Sequence, residues 1–139
     1  RERLPLLMGD VEHRVWIQAL ADWLRGAREQ PPAVPAEGGR FGGWLKREGR
    51  AVYGQTPAYA AVDAVHRQMH ELADELVALH AAGHQQDASE RVPQLWALLE
   101  RMRGQFGGLI IGPDEGDLLD VMDDDSVPAK TGSRVTGTR

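Results

Sequence analysis

The chain contains no cysteine. That absence excludes a disulfide framework and any thiol redox chemistry. No apolar run approaches the ~20 residues of a membrane-spanning helix, and no signal peptide opens the chain. Neither β alternation of useful length nor an internal repeat is present. Positive charge is not in excess: 16 basic residues stand against 21 acidic ones, a formal net charge of −5. Without a basic stripe to meet a phosphate backbone, nucleic acid is not an expected partner. Aromatic residues amount to only 6%. What remains is a chain of 139 residues, long enough for one domain with a real core. It begins with Arg1 rather than Met, and is read as a fragment or a trimmed product.

The charge is unevenly placed. Residues 1–113 carry 13 basic and 14 acidic side chains, whereas residues 114–139 carry 3 and 7. After Gly112-Pro113 the sequence turns to Asp, Glu, Gly, Ser and Thr, with little that could be buried. The expected organisation is a folded unit over residues 1–112 and an acidic, disordered tail over 113–139. Leu118, Leu119, Val121 and Met122 could form a weak amphipathic turn within that tail.

Within the folded part the apolar positions recur at helical steps. A first helix is expected from Leu4 to Arg25, with Val11, Val15, Trp16, Leu20, Trp23 and Leu24 on one buried face and Gly26 as its stop. The Pro/Gly-rich stretch from Gln30 to Gly39 cannot continue it. A short helix follows from Phe41 to Glu48, ended by Gly49. The next has the clearest start: Thr56 as cap and Pro57 at the first helical position, where a missing N–H costs nothing. It runs through His66 and His70 to about Ala82, with Gly83 as terminator. The last begins near Asp87, with Glu90 completing a capping box. Its apolar stripe is Val92, Leu95, Trp96, Leu99, Met102 and Phe106. Pro93 is mild if Ser89 is the cap and kinks the helix if Asp87 is. Three long helices and one short one joined by short loops predict an all-α, antiparallel, four-helix-bundle-like fold.

His66 and His70 stand four residues apart, so their side chains lie one turn apart on one helix face. This is the common way for a helix to offer two imidazoles to one metal, although two polar residues on a partly exposed face is the simpler alternative. His80 and His84 repeat the spacing, but begin ~15 Å further along the helix, too far to share the same ion.

Taken in order, His13-x-x-Trp16, x-Phe41-Gly42-x-Trp44 and His66-x-x-x-His70 resemble the chemoreceptor zinc-binding (CZB) domain. The resemblance covers roughly residues 5–110. It implies a helical bundle holding Zn²⁺ with three histidines and a cysteine, and it assigns His13, His66 and His70 as metal ligands. The cysteine of the family stands two residues before Phe41, where this chain has Gly39. Restoring a cysteine there is expected to raise zinc affinity. The oxidant-sensitive thiolate of the family is closed to this chain. Asp63, three residues before His66, and Glu37, two before Gly39, are alternative donors. Trp16, Phe41 and Trp44 read as core packing, and Trp23 and Trp96 as core or interface.

By the same resemblance the chain is a non-enzymatic, cytoplasmic sensory module of bacterial signal transduction. It would regulate a chemoreceptor or diguanylate cyclase output domain in cis or in trans, and would work as a homodimer. Zinc is the implied cofactor, in a site weakened by the missing thiolate. A metal-free structural bundle and a small zinc hydrolase with three histidine ligands are the alternatives, the second without a legible general base.

Overall fold

The computed structural model describes residues 3–33 and 39–110. The acidic tail, its apolar cluster and Glu37 lie outside the described residues. Among those described, the chain is all helix. Its elements are α1 (Arg3–Leu24), α2 (Gly39–Trp44), a π-helical turn (Leu45–Gly49), α3 (Arg50–Tyr53), α4 (Pro57–Ala81), α5 (Gln85–Glu90) and α6 (Val92–Ile110).

Paired residues give the direction of each helix. Gly9 meets Phe41, while Glu12 meets Gly39, so α2 runs against α1. Trp16 meets His70 and Trp23 meets His80, so α4 runs with α1. Gly108 touches Ala58, whereas Arg91 pairs with Glu75, so α6 runs against α4. With α2, the π turn and α3 counted as one arm, the result is an up-down-up-down bundle. The core joins Ile17, Leu20 and Leu24 of α1 to Phe41, Leu45, Val62, Met69, Leu76, Leu95, Met102 and Leu109. Each such side chain contributes ~1.5–3 kcal/mol relative to exposure.

Several starts and stops follow the sequence. Thr56 is extended (φ −92°, ψ 150°) and its hydroxyl accepts the Tyr59 N–H at 3.1 Å, with Pro57 opening the helix. Gly26 and Gly83 adopt φ +83° and +89° just past the ends of α1 and α4, the left-handed conformation that glycine enters at no steric cost.

Three expectations fail. Gly49 does not end the short helix. It is buried in right-handed helical geometry, and a side-chain carbon on it would press on the Trp44 ring at 3.0 Å. Its role is close packing, and the arm continues to Tyr53. The Asp87/Glu90 capping box does not form either: Gln86 donates to Glu90 at 2.8 Å, and α5 has already begun at Gln85. The helix then breaks at Arg91, because Pro93 has no N–H to give to the preceding turn. Finally, Val11 and Val15 are not on the buried face of α1. They are 58% and 64% exposed, and the face that packs carries Leu6, His13, Trp16, Ile17, Leu20 and Leu24. The helix has two apolar stripes, and periodicity alone does not say which one is covered.

Candidate metal centre

His13 lies on the inner face of α1, and His66 and His70 on the inner face of α4. Their donor atoms all fall within 4.8 Å of one another. His13 is 2% and His66 8% exposed; His70 is half-buried. The Nε2 atoms of His66 and His70 are 3.2 Å apart. Two nitrogens on one tetrahedral zinc, with Zn–N bonds of ~2.0–2.1 Å, stand ~3.4 Å apart, so this pair is already close to the separation that an ion requires.

The orientation of His13 is fixed by its own helix. Its Nδ1 lies 2.8 Å from the carbonyl oxygen of Gly9, one turn earlier. A carbonyl only accepts, so Nδ1 carries the proton and Nε2 keeps a free lone pair. Such a second partner is what commonly orients a metal-binding imidazole.

Aromatic rings wall the cluster. Trp16 stacks on His70 with centroids 4.7 Å apart and planes inclined by 24°. Phe41 meets His13 and His66 in T-shaped contacts, with ring centroids 5.6 and 5.3 Å apart. Both residues are core, as expected, and both also hold imidazoles in place. Trp44, half-buried, leans on Phe41 at 6.1 Å. The π turn is held by the Tyr59 hydroxyl, which donates to the Leu45 carbonyl at 2.8 Å.

These surroundings keep the imidazoles neutral. Burial lowers the pKa of His66 to about 3, and His13, His70 and Lys46 push it the same way. Burial also lowers His13, against the raising influence of the Gly9 carbonyl, Glu12 and Asp10. His70 is lowered by burial and by His13, against Asp74 and Glu12. Three neutral, convergent imidazoles are a donor set that suits a borderline-soft cation such as Zn²⁺. The residues present fit the ion.

The alternative donors fare differently. Asp63 is not among the converging donors and pairs with Arg67 at 3.0 Å. His80 tilts against Trp23 at 4.1 Å, while His84 is exposed beside Asp87; neither belongs to a metal-competent group among the described residues. Sequence reasoning missed Glu12. Its carboxylate accepts the N–H of Arg40 at 3.1 Å and of Phe41 at 3.2 Å, capping α2 from the neighbouring helix. A side-chain carbon on Gly39 would stand 2.8–3.0 Å from that carboxylate. The only signal in the sequence was its place next to His13.

Residues 13–77 match the family model of the chemoreceptor zinc-binding domain. This segment belongs to that family. The match begins at the first histidine and extends past the other two, so it contains the whole histidine cluster; α5 and α6 complete the bundle beyond it. No curated protein and no solved structure matches the chain.

Proposed function

We propose that this chain is a regulatory zinc-binding module of bacterial signal transduction, with His13, His66 and His70 as its metal ligands. The observation that carries this reading is the convergence of three buried or half-buried imidazoles from two helices, within a segment of the CZB family. When bound, zinc supplies a cross-link between α1 and α4 through their side chains. Gly9 then orients His13, Trp16 holds the plane of His70, and Phe41 keeps water from the inner side. Occupancy would alter the packing of α1 on α4, and with it the output of a chemoreceptor or diguanylate cyclase signalling domain carried in cis or in trans. By that association the module works in the cytoplasm.

A sensory role fits the site better than catalysis. Three nearby carboxylates are engaged: Asp10 with Arg14 and Arg103 at 3.0 and 3.1 Å, Asp63 with Arg67, and Glu12 with two backbone amides. Among the described residues no helix is long and apolar enough to cross a membrane.

A homodimer is supported by the second apolar stripe of α1. Leu4, Leu7, Val11 and Val15 are each 58–64% exposed at three- and four-residue steps. An aligned row of this kind is the usual mark of a protein interface.

The test is elemental analysis of protein purified without a histidine tag or added metal, followed by zinc titration against a chromophoric chelator. About one zinc per chain, lost in His66→Ala and His70→Ala, is expected. A wild-type chain that neither retains nor takes up zinc refutes the reading.

A further inference from the structure

Resting on the zinc reading above, the question is what completes the site when Gly39 offers no donor. Zinc with three neutral histidines leaves two positive charges inside a bundle, where an uncompensated charge is costly. A thiolate would reduce that charge by one, and a carboxylate does the same. The space into which a side chain at position 39 would grow is already filled by the Glu12 carboxylate, 2.8–3.0 Å from the Cβ position. Gly39 itself has φ +78°, a conformation that side-chain-bearing residues adopt with strain.

We infer that Glu12 supplies the fourth, anionic donor of the metal centre, in place of the thiolate that Gly39 cannot provide. Glu12 adjoins the ligand His13 on α1 and is half-buried. Each of its oxygens accepts one backbone N–H and retains another lone pair. It also lines an open surface groove with Leu7, Met8, Val11 and Arg40. The carboxylate stands outside the set of donors within 4.8 Å of one another, so it closes on the ion by side-chain rotation. Asp74, four residues after His70 on α4, is the other nearby carboxylate and is exposed.

Cobalt(II) as a visible stand-in for zinc tests this on the full, untagged chain. The wild type is expected to take up one equivalent and to keep one spectrum between about pH 7 and 9, because no metal-bound water is present to ionise. Glu12→Gln should bind at least about tenfold more weakly. Its spectrum should change with pH, as the water that replaces the carboxylate ionises near pH ~7. Asp74→Asn should behave as the wild type. A wild-type spectrum that titrates over this range overturns the inference and leaves the three-histidine site standing. So does a Glu12→Gln variant with unchanged affinity and spectrum. A wild type that takes up neither cobalt nor zinc overturns both readings. Should Glu12→Gln fail to fold for want of its contact with α2, the wild-type pH series decides alone.

Discussion

Phe41 lies so close to Gly9 that a single added carbon on that glycine would overlap the ring. The same Gly9 carbonyl receives the His13 Nδ1 proton at 2.8 Å. One residue without a side chain therefore sets both the distance of α2 from α1 and the orientation of an imidazole.

Gly9→Ala should consequently destabilise the protein although it favours the helix. The gain in helix propensity is ~0.5–1 kcal/mol, while overpacking against a buried ring costs ~1–3 kcal/mol. The net expectation is a loss of about 1–2 kcal/mol, with weaker zinc binding because His13 shifts. Gly104→Ala is the control: it lies on an exposed part of α6 with nothing near its missing side chain, and should gain up to ~1 kcal/mol. Urea midpoints of the two variants moving in the same direction would refute the packing argument.

Stability without metal should fall as pH falls from neutrality. The unfolded chain protonates His66 near the ordinary value of 6.5, the folded one only near 3. Between these values the unfolded state binds more protons, so the folded state loses up to ~1.4 kcal/mol per pH unit. From His66 alone that is about 2 kcal/mol by pH 5, and His13 and His70 add in the same direction. Urea unfolding at about pH 7.5 and pH 5 measures it, above the range where most carboxylates titrate. Equal midpoints would mean that the buried imidazole accepts a proton in place. Because ligation requires neutral imidazoles and the fold keeps them neutral below the ordinary value, any rise in melting temperature caused by zinc should persist to lower pH than free histidine would allow.

The reach of the sequence follows from where each residue finds its partner. His66 and His70 are legible because helix geometry alone puts them on one face, and Thr56 and Gly83 because capping is local. His13 came from the order of the family's motifs. Glu12 was out of reach, since its partners Arg40 and Phe41 come from an element that only the fold brings near. Gly49 read as a stop because a glycine that ends a helix and one that admits a tryptophan ring look alike in a sequence. Val11 and Val15 were assigned to the wrong face of α1 because both faces carry apolar stripes, and burial belongs to the partner helices.

Position 39 and Glu12 should be thermodynamically coupled. A cysteine at Gly39 was expected to strengthen zinc binding outright, but it meets a left-handed backbone and the Glu12 carboxylate. Gly39→Cys should therefore cost the metal-free protein ~1–3 kcal/mol. Glu12→Ala alone should cost ~1 kcal/mol by uncapping α2. In the double variant the costs should fall short of their sum by about 0.5 kcal/mol or more, because a carboxylate already displaced has no cap left to lose. Strict additivity would mean that the two side chains do not compete for one space.

The exposed stripe of α1 makes the assembly testable without touching the core. Leu7 and Val11 are 60% and 58% exposed and stand one turn apart. Leu7→Glu with Val11→Lys places an acidic residue four positions before a basic one, an order that favours the helix by ~0.2–0.5 kcal/mol. The isolated fold should thus be left intact, with any change in stability within ~0.5 kcal/mol at high dilution. Light scattering at tens of micromolar should give a dimer mass for the wild type and half that mass for the double variant. Zinc affinity should be retained, because the stripe and the histidines lie on different faces of α1. A wild type that is monomeric at that concentration would rule out the dimer. A dimeric double variant would move the interface elsewhere and leave these apolar residues without a partner.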